Sequence, residues 1–164
     1  MKPYYFIIAI LAISGCVGAD IATVPFNEKE AAFINKSGKN TIIGEAFRKR
    51  NDGMVVTCAG EEVSLIPVTQ YASQRISHIY GNANRGKTGT VLDNAGKADA
   101  QYMAMSKSAV CDASGKFTFT GIADGSYFVT TAVIWNPTGG IIPEGGYHMT
   151  RISVRGGQKV NLIL

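Results

Sequence analysis

The stretch KFTFTGIADGSYFVTTAVIW, residues 116–135, decides the fold. Residues 116–120 alternate polar and apolar side chains with a period of two, which is typical of a strand with one buried face. Ala123-Asp124-Gly125 predicts a turn. Residues 126–135 are β-branched and aromatic and place apolar groups on both faces. This pattern predicts a central strand, with Trp135 and its neighbours at the centre of the core.

Strand-like segments recur along the chain, separated by turn residues such as Asn51-Asp52-Gly53. About seven strands at a spacing of roughly 8–12 residues predict an all-β fold, a β-sandwich. The other segments with this character are residues 41–48, 54–58, 62–67, 101–110, 147–154 and 160–164.

One region interrupts the strands with a helical pattern. Thr69 can cap a helix over residues 70–80, where Tyr71, Ala72, Ile76 and Ile79 fall near helical spacing. Residues 81–100 are polar and rich in glycine, which predicts a long surface loop. The sequence therefore predicts one short helix and a long loop inserted around residues 68–100.

Length and charge narrow the class of protein. The chain has 164 residues, 16 Lys and Arg, 12 Asp and Glu, and 46% apolar residues. It is a folding chain of single-domain size, too small for a large α/β enzyme. The net charge of +4 comes without a long basic run, which argues against a dedicated nucleic-acid binder.

The N-terminus has the features of a secretion signal. Lys2 is followed by about ten apolar residues, 4–13, which as a helix rise about 15 Å against a hydrocarbon core of about 30 Å. They suit a signal peptide rather than a membrane span. Ile13-Ser14-Gly15-Cys16 resembles a bacterial lipobox, which implies cleavage before Cys16 and acylation of its thiol. The alternative is an ordinary signal peptide with a chance cysteine.

These features predict three parts: a signal peptide at residues 1–15, a lipidated tether at 16–39 and a globular domain at 40–164. Acyl chains would anchor the protein in the bacterial cell envelope. Val17-Gly18-Ala19 follows Cys16 without an aspartate, which by analogy with enteric lipoproteins favours the outer membrane, facing the periplasm or the surface.

The two remaining cysteines, Cys58 and Cys111, are predicted to form a disulfide, because an even pair in an oxidising compartment usually does. Two buried free thiols are the alternative.

Turn and aromatic residues follow a regular spacing over residues 112–129, namely Asp112, Gly115, Phe117, Phe119, Gly121, Ile122, Gly125, Tyr127 and Val129. This pattern resembles the carboxypeptidase regulatory-like, or transthyretin-like, β-sandwich. The resemblance implies a seven-stranded Greek-key (prealbumin-like) fold whose regulatory domains carry no catalytic residues. With Cys58-Ala59-Gly60, Pro67-Val68-Thr69-Gln70-Tyr71 and Trp135, the chain is also similar to a group of small bacterial envelope proteins.

One segment matches the sequence pattern of a nucleotide-binding motif. Residues 81–88, GNANRGKT, fit the P-loop pattern at every position. A working P-loop lies between a buried strand and a helix. Because a helical pattern precedes this motif, we interpret it as a flexible loop and expect no nucleotide and no cofactor.

Candidate binding residues are few. Tyr71, Arg75 and His78 form one stripe of the predicted helix and are a possible binding face, although an ordinary amphipathic edge has the same spacing. The loop at residues 136–146 is a second candidate. His78 and His148 lack zinc-site spacing and are expected at the surface or half-buried.

The expected function follows from fold and location. We expect a lipid-anchored envelope module, not an enzyme, that binds another envelope protein or a glycan. The alternative is a non-catalytic structural or accessory subunit of an envelope assembly.

Overall fold

A computed structural model describes residues 20–90 and 95–164, so the predicted signal peptide and Cys16 lie outside the described residues. The described part contains ten strands, three short α-helices and a 3₁₀ turn at Ala32–Asn35. The helices are α1 (Glu28–Ala31), α2 (Gln70–Tyr80) and α3 (Ala100–Ala104). The strands are β1 (Asn40–Glu45), β2 (Phe47–Lys49), β3 (Val55–Thr57), β4 (Glu62–Pro67), β5 (Arg85–Lys87), β6 (Lys107–Val110), β7 (Lys116–Ile122), β8 (Gly125–Trp135), β9 (Glu144–Val154) and β10 (Lys159–Ile163).

The strands form two main sheets and a hairpin. The larger sheet has the order β5-β9-β8-β4-β6, and its neighbouring strands are antiparallel. The smaller sheet has the order β10-β1-β7, with β1 parallel to β10 and antiparallel to β7. Among the described residues, strands β2 and β3 pair only with each other. The prediction that residues 126–135 form a central strand is confirmed, because β8 is the middle strand of the larger sheet.

The main core lies between the two sheets. Phe117 and Phe119 of the smaller sheet, and Tyr127, Val129 and Val133 of the larger one, are all buried in a single cluster. Alternate residues of β7 and β8 supply these side chains, as the period of a strand requires. The predicted β-sandwich is therefore confirmed.

A second core covers the outer face of the larger sheet. Phe128 of β8 and Met149 of β9 are buried there against Ala72 and Ile76 of α2. The predicted helix is confirmed, with the Thr69 hydroxyl accepting from the Ala72 amide at 3.0 Å. This second core explains why β8 carries apolar groups on both faces.

The disulfide between Cys58 and Cys111 is confirmed, with the two Cα atoms 5.8 Å apart. It joins the residue after β3 to the residue after β6. The small β2–β3 hairpin is thereby fixed to the edge of the larger sheet.

Three segments differ from the predictions. Residues 41–48 are not one strand, because the chain leaves the small sheet at Ala46 and continues as β2 in the hairpin. Residues 101–110 begin as α3, since the Asp99 carboxylate accepts from the Gln101 and Tyr102 amides and caps a helix. The predicted loop at 81–100 contains β5, so the two main sheets have eight strands among the described residues rather than about seven.

Candidate functional site

The sandwich has a polar end where β8 finishes and β9 begins. Trp135 pairs with Glu144 there, and residues 136–143 connect the two strands. Trp135 continues the inward-facing row of Val133 on β8, but at the end of the sheet it is only half-buried. Its indole Nε1 donates to Glu144 Oε2 at 3.0 Å. Trp135 therefore lies at the rim of the core rather than at its centre, which corrects the prediction.

The turn of the β2–β3 hairpin completes this end. The Arg50 guanidinium carbon lies 6.0 Å from the centre of the Trp135 ring, and Arg50 Nη2 forms a salt bridge with Asp52 Oδ2 at 2.8 Å. We call Trp135, Glu144, Arg50 and Asp52 the Trp135 end. It combines an aromatic surface with a guanidinium and two carboxylates.

Arg48 holds the layers together beside the Trp135 end. Its Nε donates to His148 Nε2 at 2.7 Å, Nη1 donates to the Gly145 carbonyl at 2.7 Å, and Nη2 donates to the Thr88 carbonyl at 2.9 Å. These bonds join β2 to β9 and to the residue that follows β5. All three donor groups of Arg48 thus have neutral partners.

His148 is fully buried, contrary to the expectation of a surface or half-buried side chain. Because Nε2 accepts from Arg48, neutral His148 carries its proton on Nδ1. That nitrogen has no hydrogen-bond partner among the described residues. Burial, together with the charges of Lys87 and Arg48 and against an opposing contribution of the Leu164 backbone, lowers the pKa of His148 to about 4.

A cluster of basic side chains surrounds this histidine. Lys87 lies opposite His148 in the β5–β9 register, and Arg85 lies opposite Thr150. Although Lys87 is exposed, partial desolvation by its neighbours lowers its pKa, and the charges of Arg48 and Arg85 add to that effect. We call Arg48, Arg85, Lys87 and His148 the basic cluster. In the described part of the chain, both salt bridges, Arg50–Asp52 and Arg75–Asp20, lie outside it.

Buried His148 predicts a stability that falls in acid. Between its usual pKa of 6.5 and its folded pKa of about 4, the unfolded chain takes up a proton that the folded protein refuses. The free energy of unfolding should fall by about 3 kcal/mol as the pH drops over that range. Above pH 6.5 the titration of His148 should cause no further change in stability. Urea unfolding of wild type and His148→Gln at several pH values measures the effect. A difference between the two proteins that does not change with pH would contradict it.

The predicted stripe of α2 is not an open recognition surface. Tyr71 is 2% exposed and Arg75 is 4% exposed, whereas His78 is exposed. The Tyr71 hydroxyl and Arg75 Nη1 both bond to the Asp20 carboxylate, and Arg75 Nη2 donates to the Ala95 carbonyl at 2.6 Å. The two buried side chains hold neighbouring segments onto the helix.

The P-loop letters occupy a different structure from a P-loop. Gly81, with a φ of 68°, ends α2 in the left-handed conformation that glycine adopts readily. Arg85–Lys87 is itself strand β5, paired with β9. The segment thus joins a helix to an edge strand, without the strand-to-helix order that holds phosphates.

Residues 20–90 and 95–164 contain no group of three or more His, Cys, Asp or Glu side chains placed to hold a metal ion. No helix in the same ranges is both long and apolar enough to cross a bilayer.

The basic cluster could not be predicted from the sequence, because its members come from β2, β5 and β9 and meet only in the fold. The single signal was the run Arg85-Gly86-Lys87, in which two basic residues two positions apart share one face if the run is a strand.

Comparison with known proteins supports the fold. A candidate carbohydrate-binding protein from Pseudomonas aeruginosa is similar in structure, with a TM-score of 0.69 and 24% identity over 85% of this chain and 97% of that one. A minor pilin of Streptococcus agalactiae aligns over 78% of this chain and 44% of its own, with 15% identity and a TM-score of 0.37, too low to establish a common fold. No protein-family model matches the sequence. No curated protein matches it either. The chain is therefore similar in fold to a β-sandwich protein of known structure.

Proposed function

We propose that this protein is a lipid-anchored β-sandwich of the bacterial cell envelope, of the carboxypeptidase regulatory-like type, that binds an acidic glycan at the Trp135 end. The observation that carries the proposal is the grouping of half-buried Trp135 with Glu144 and the Arg50–Asp52 pair. The description of the Pseudomonas protein as a candidate carbohydrate binder is in agreement with it.

The residue types at the Trp135 end suit a sugar. The C–H face of a pyranose packs on an aromatic ring, which offers a large apolar surface with a polar edge. Glu144 and Asp52 are exposed, and their carboxylates can accept hydrogen bonds from sugar hydroxyls. Loops and strand ends on a rigid sandwich are also where binding residues commonly lie.

The basic cluster favours an acidic sugar over a neutral one. Arg48 bonds to the Gly145 carbonyl, next to Glu144, so the cluster adjoins the Trp135 end. Lys87 is exposed, and its charge adds to those of Arg48 and Arg85. A concentration of one sign of charge attracts ligands of the opposite sign, and salt weakens that attraction. Carboxylated or phosphorylated glycans are the matching class.

Replacing Trp135 tests this site. Trp135→Ala should weaken glycan binding by at least about tenfold, as loss of an aromatic anchor typically does. Met103→Ala is the matched control, since Met103 is an exposed apolar residue on α3, whose Tyr102 packs in the second core with α2 and away from the Trp135 end. Calorimetric titration with acidic and neutral envelope polysaccharides measures both variants. Equal affinities of wild type and a folded Trp135→Ala, or binding to neither polysaccharide, would contradict the proposal.

Lipidation has its own test. Cys16→Ser should abolish metabolic labelling with palmitate and release the protein from membranes, because stable anchoring requires acyl chains. Unchanged labelling in this variant would overturn the anchor.

Protein binding is the second candidate function, as a subunit of an envelope assembly. Exposed apolar side chains favour it: Met54 and Val55 on the hairpin, and Ile141 and Ile142 in the adjoining loop. Gentle crosslinking in cells, followed by purification, should then give a fixed set of protein partners that Ile141→Ser/Ile142→Ser loses.

A further inference from the structure

The chain lies on helix α2 from the first residue that the structure describes. Arg75 Nη1 donates to Asp20 Oδ1 at 2.6 Å, and the Tyr71 hydroxyl donates to the other oxygen of that carboxylate. Because Tyr71 and Arg75 are buried, Asp20 is bonded to two side chains that the fold already holds in place. We call these three residues the Asp20 clamp.

The following residues continue this attachment. Gln74 Oε1 accepts from the Thr23 amide at 2.9 Å, the Thr23 hydroxyl at 3.1 Å and the Val24 amide at 3.3 Å. The Phe26 ring then meets the Tyr71 ring edge-on, with centroids 5.6 Å apart. The segment predicted as a tether is therefore bound along α2 over its described part as far as Phe26.

Little chain separates this attachment from the predicted lipid. Cys16 precedes Asp20 by four residues, which span at most about 14 Å when fully extended. An acylated Cys16 lies at the bilayer surface, where its chains enter the lipid. Asp20 then cannot lie further than about 14 Å from that surface.

We propose that the exposed side of α2 beside Asp20 docks on the lipid bilayer surface, with the clamp fixing the orientation of the domain. This inference rests on the lipidation of Cys16 in the proposed function. Ile21, Ser77 and His78 line one groove, which marks the side of α2 next to the entering chain. The smaller sheet lies on the opposite side, because α2 packs on the outer face of the larger one.

This orientation keeps the Trp135 end clear of the bilayer contact. Strand β4 ends at Pro67, opposite Tyr127, and α2 begins just after it. Trp135 is eight residues further along β8, about 26 Å away. Docking and glycan binding thus use different parts of the molecule.

Fluorescence quenching in vesicles tests the orientation. Full-length lipidated protein would be reconstituted in phosphatidylethanolamine and phosphatidylglycerol vesicles that contain a nitroxide headgroup lipid. One variant carries a fluorophore at His78→Cys, on the α2 side. Its matched control carries it at Thr118→Cys, an exposed position between buried Phe117 and Phe119 and hence on the outer face of the smaller sheet. We expect loss of most of the His78→Cys fluorescence and little loss from Thr118→Cys.

A ten-residue Gly-Ser insertion between Ala19 and Asp20 supplies the second arm. It adds about 17 Å of flexible reach, so the difference between the two labels should disappear. Equal quenching of both labels without the insertion overturns the docking while lipidation stands. An unchanged difference with the insertion overturns the role of the short clamped connection in fixing the orientation. Protein that fails to float with the vesicles overturns the lipid anchor and the docking together.

Discussion

Tyr127→Ala is expected to unfold the domain or leave it barely stable. The side chain is fully buried between the sheets, its ring meets Phe33 edge-on at 5.3 Å, and its hydroxyl donates to the Ala123 carbonyl at 2.9 Å. Truncating a large buried aromatic costs about 3–5 kcal/mol, because it loses apolar burial and leaves a cavity. That is a large share of the roughly 5–15 kcal/mol that holds a domain folded.

Two control variants separate the ring from other effects. Tyr127→Phe removes the hydroxyl alone and should cost about 1 kcal/mol, and Thr118→Ala on the exposed face of β7 should change stability by less than about 0.5 kcal/mol. Urea unfolding followed by circular dichroism gives all three values. If Tyr127→Ala were no less stable than Tyr127→Phe, β8 would not be the centre of the core.

The second large effect is expected from the disulfide. Cys58→Ala/Cys111→Ala should lower the free energy of unfolding by about 4 kcal/mol, the value that loop-closure entropy assigns to a sequence separation of 53. In urea the midpoint would fall by about 2 M at a typical slope. The bond also fixes the β2–β3 hairpin, so proteolysis should cut that hairpin first.

Reductant supplies the matched control for this experiment. It should destabilise wild type by a similar amount and leave the double alanine variant unchanged, since that variant has no bond between these positions to lose. A double variant within about 1 kcal/mol of oxidised wild type would show that the native packing, rather than the crosslink, holds these segments together.

Strong local patterns made most of the fold predictable. The alternation in β7, the β-branched and aromatic density of β8 and the cap at Thr69 each specify one local structure, and tertiary packing agrees with them. The disulfide was predictable from the number of cysteines in a chain with a predicted export signal.

The predictions that were wrong concern segments with weak local patterns. The apolar run beginning at Tyr102 suits a strand or a helix equally, and Tyr102 packs against the tilted ring of Tyr71 at 5.0 Å, a contact made only in the folded protein. Strand β5 has no apolar alternation, because it is a short edge strand paired with β9 through its backbone. The composition around Trp135 predicts a position in the core. Only the fold shows that this residue stands at the end of the sheet, where it is half-buried.

The candidate site could largely not be predicted from the sequence, for a related reason. Arg48 and His148 are 100 residues apart, and their hydrogen bond depends on how the hairpin lies over the larger sheet. No spacing rule in a single sequence connects them.

The pairing of β1 with β10 has a consequence for the timing of folding. Thr41 lies beside Lys159, so the middle strand of the smaller sheet finds one neighbour only among the last residues of the sequence. Contacts so distant in sequence close slowly, and folding rates fall as they become more numerous. During synthesis β1 can pair with β7 first, but its pairing with β10 must wait for nearly the whole chain. A polypeptide that completes its smaller sheet so late would suit the secretion in an unfolded state that the proposed function requires.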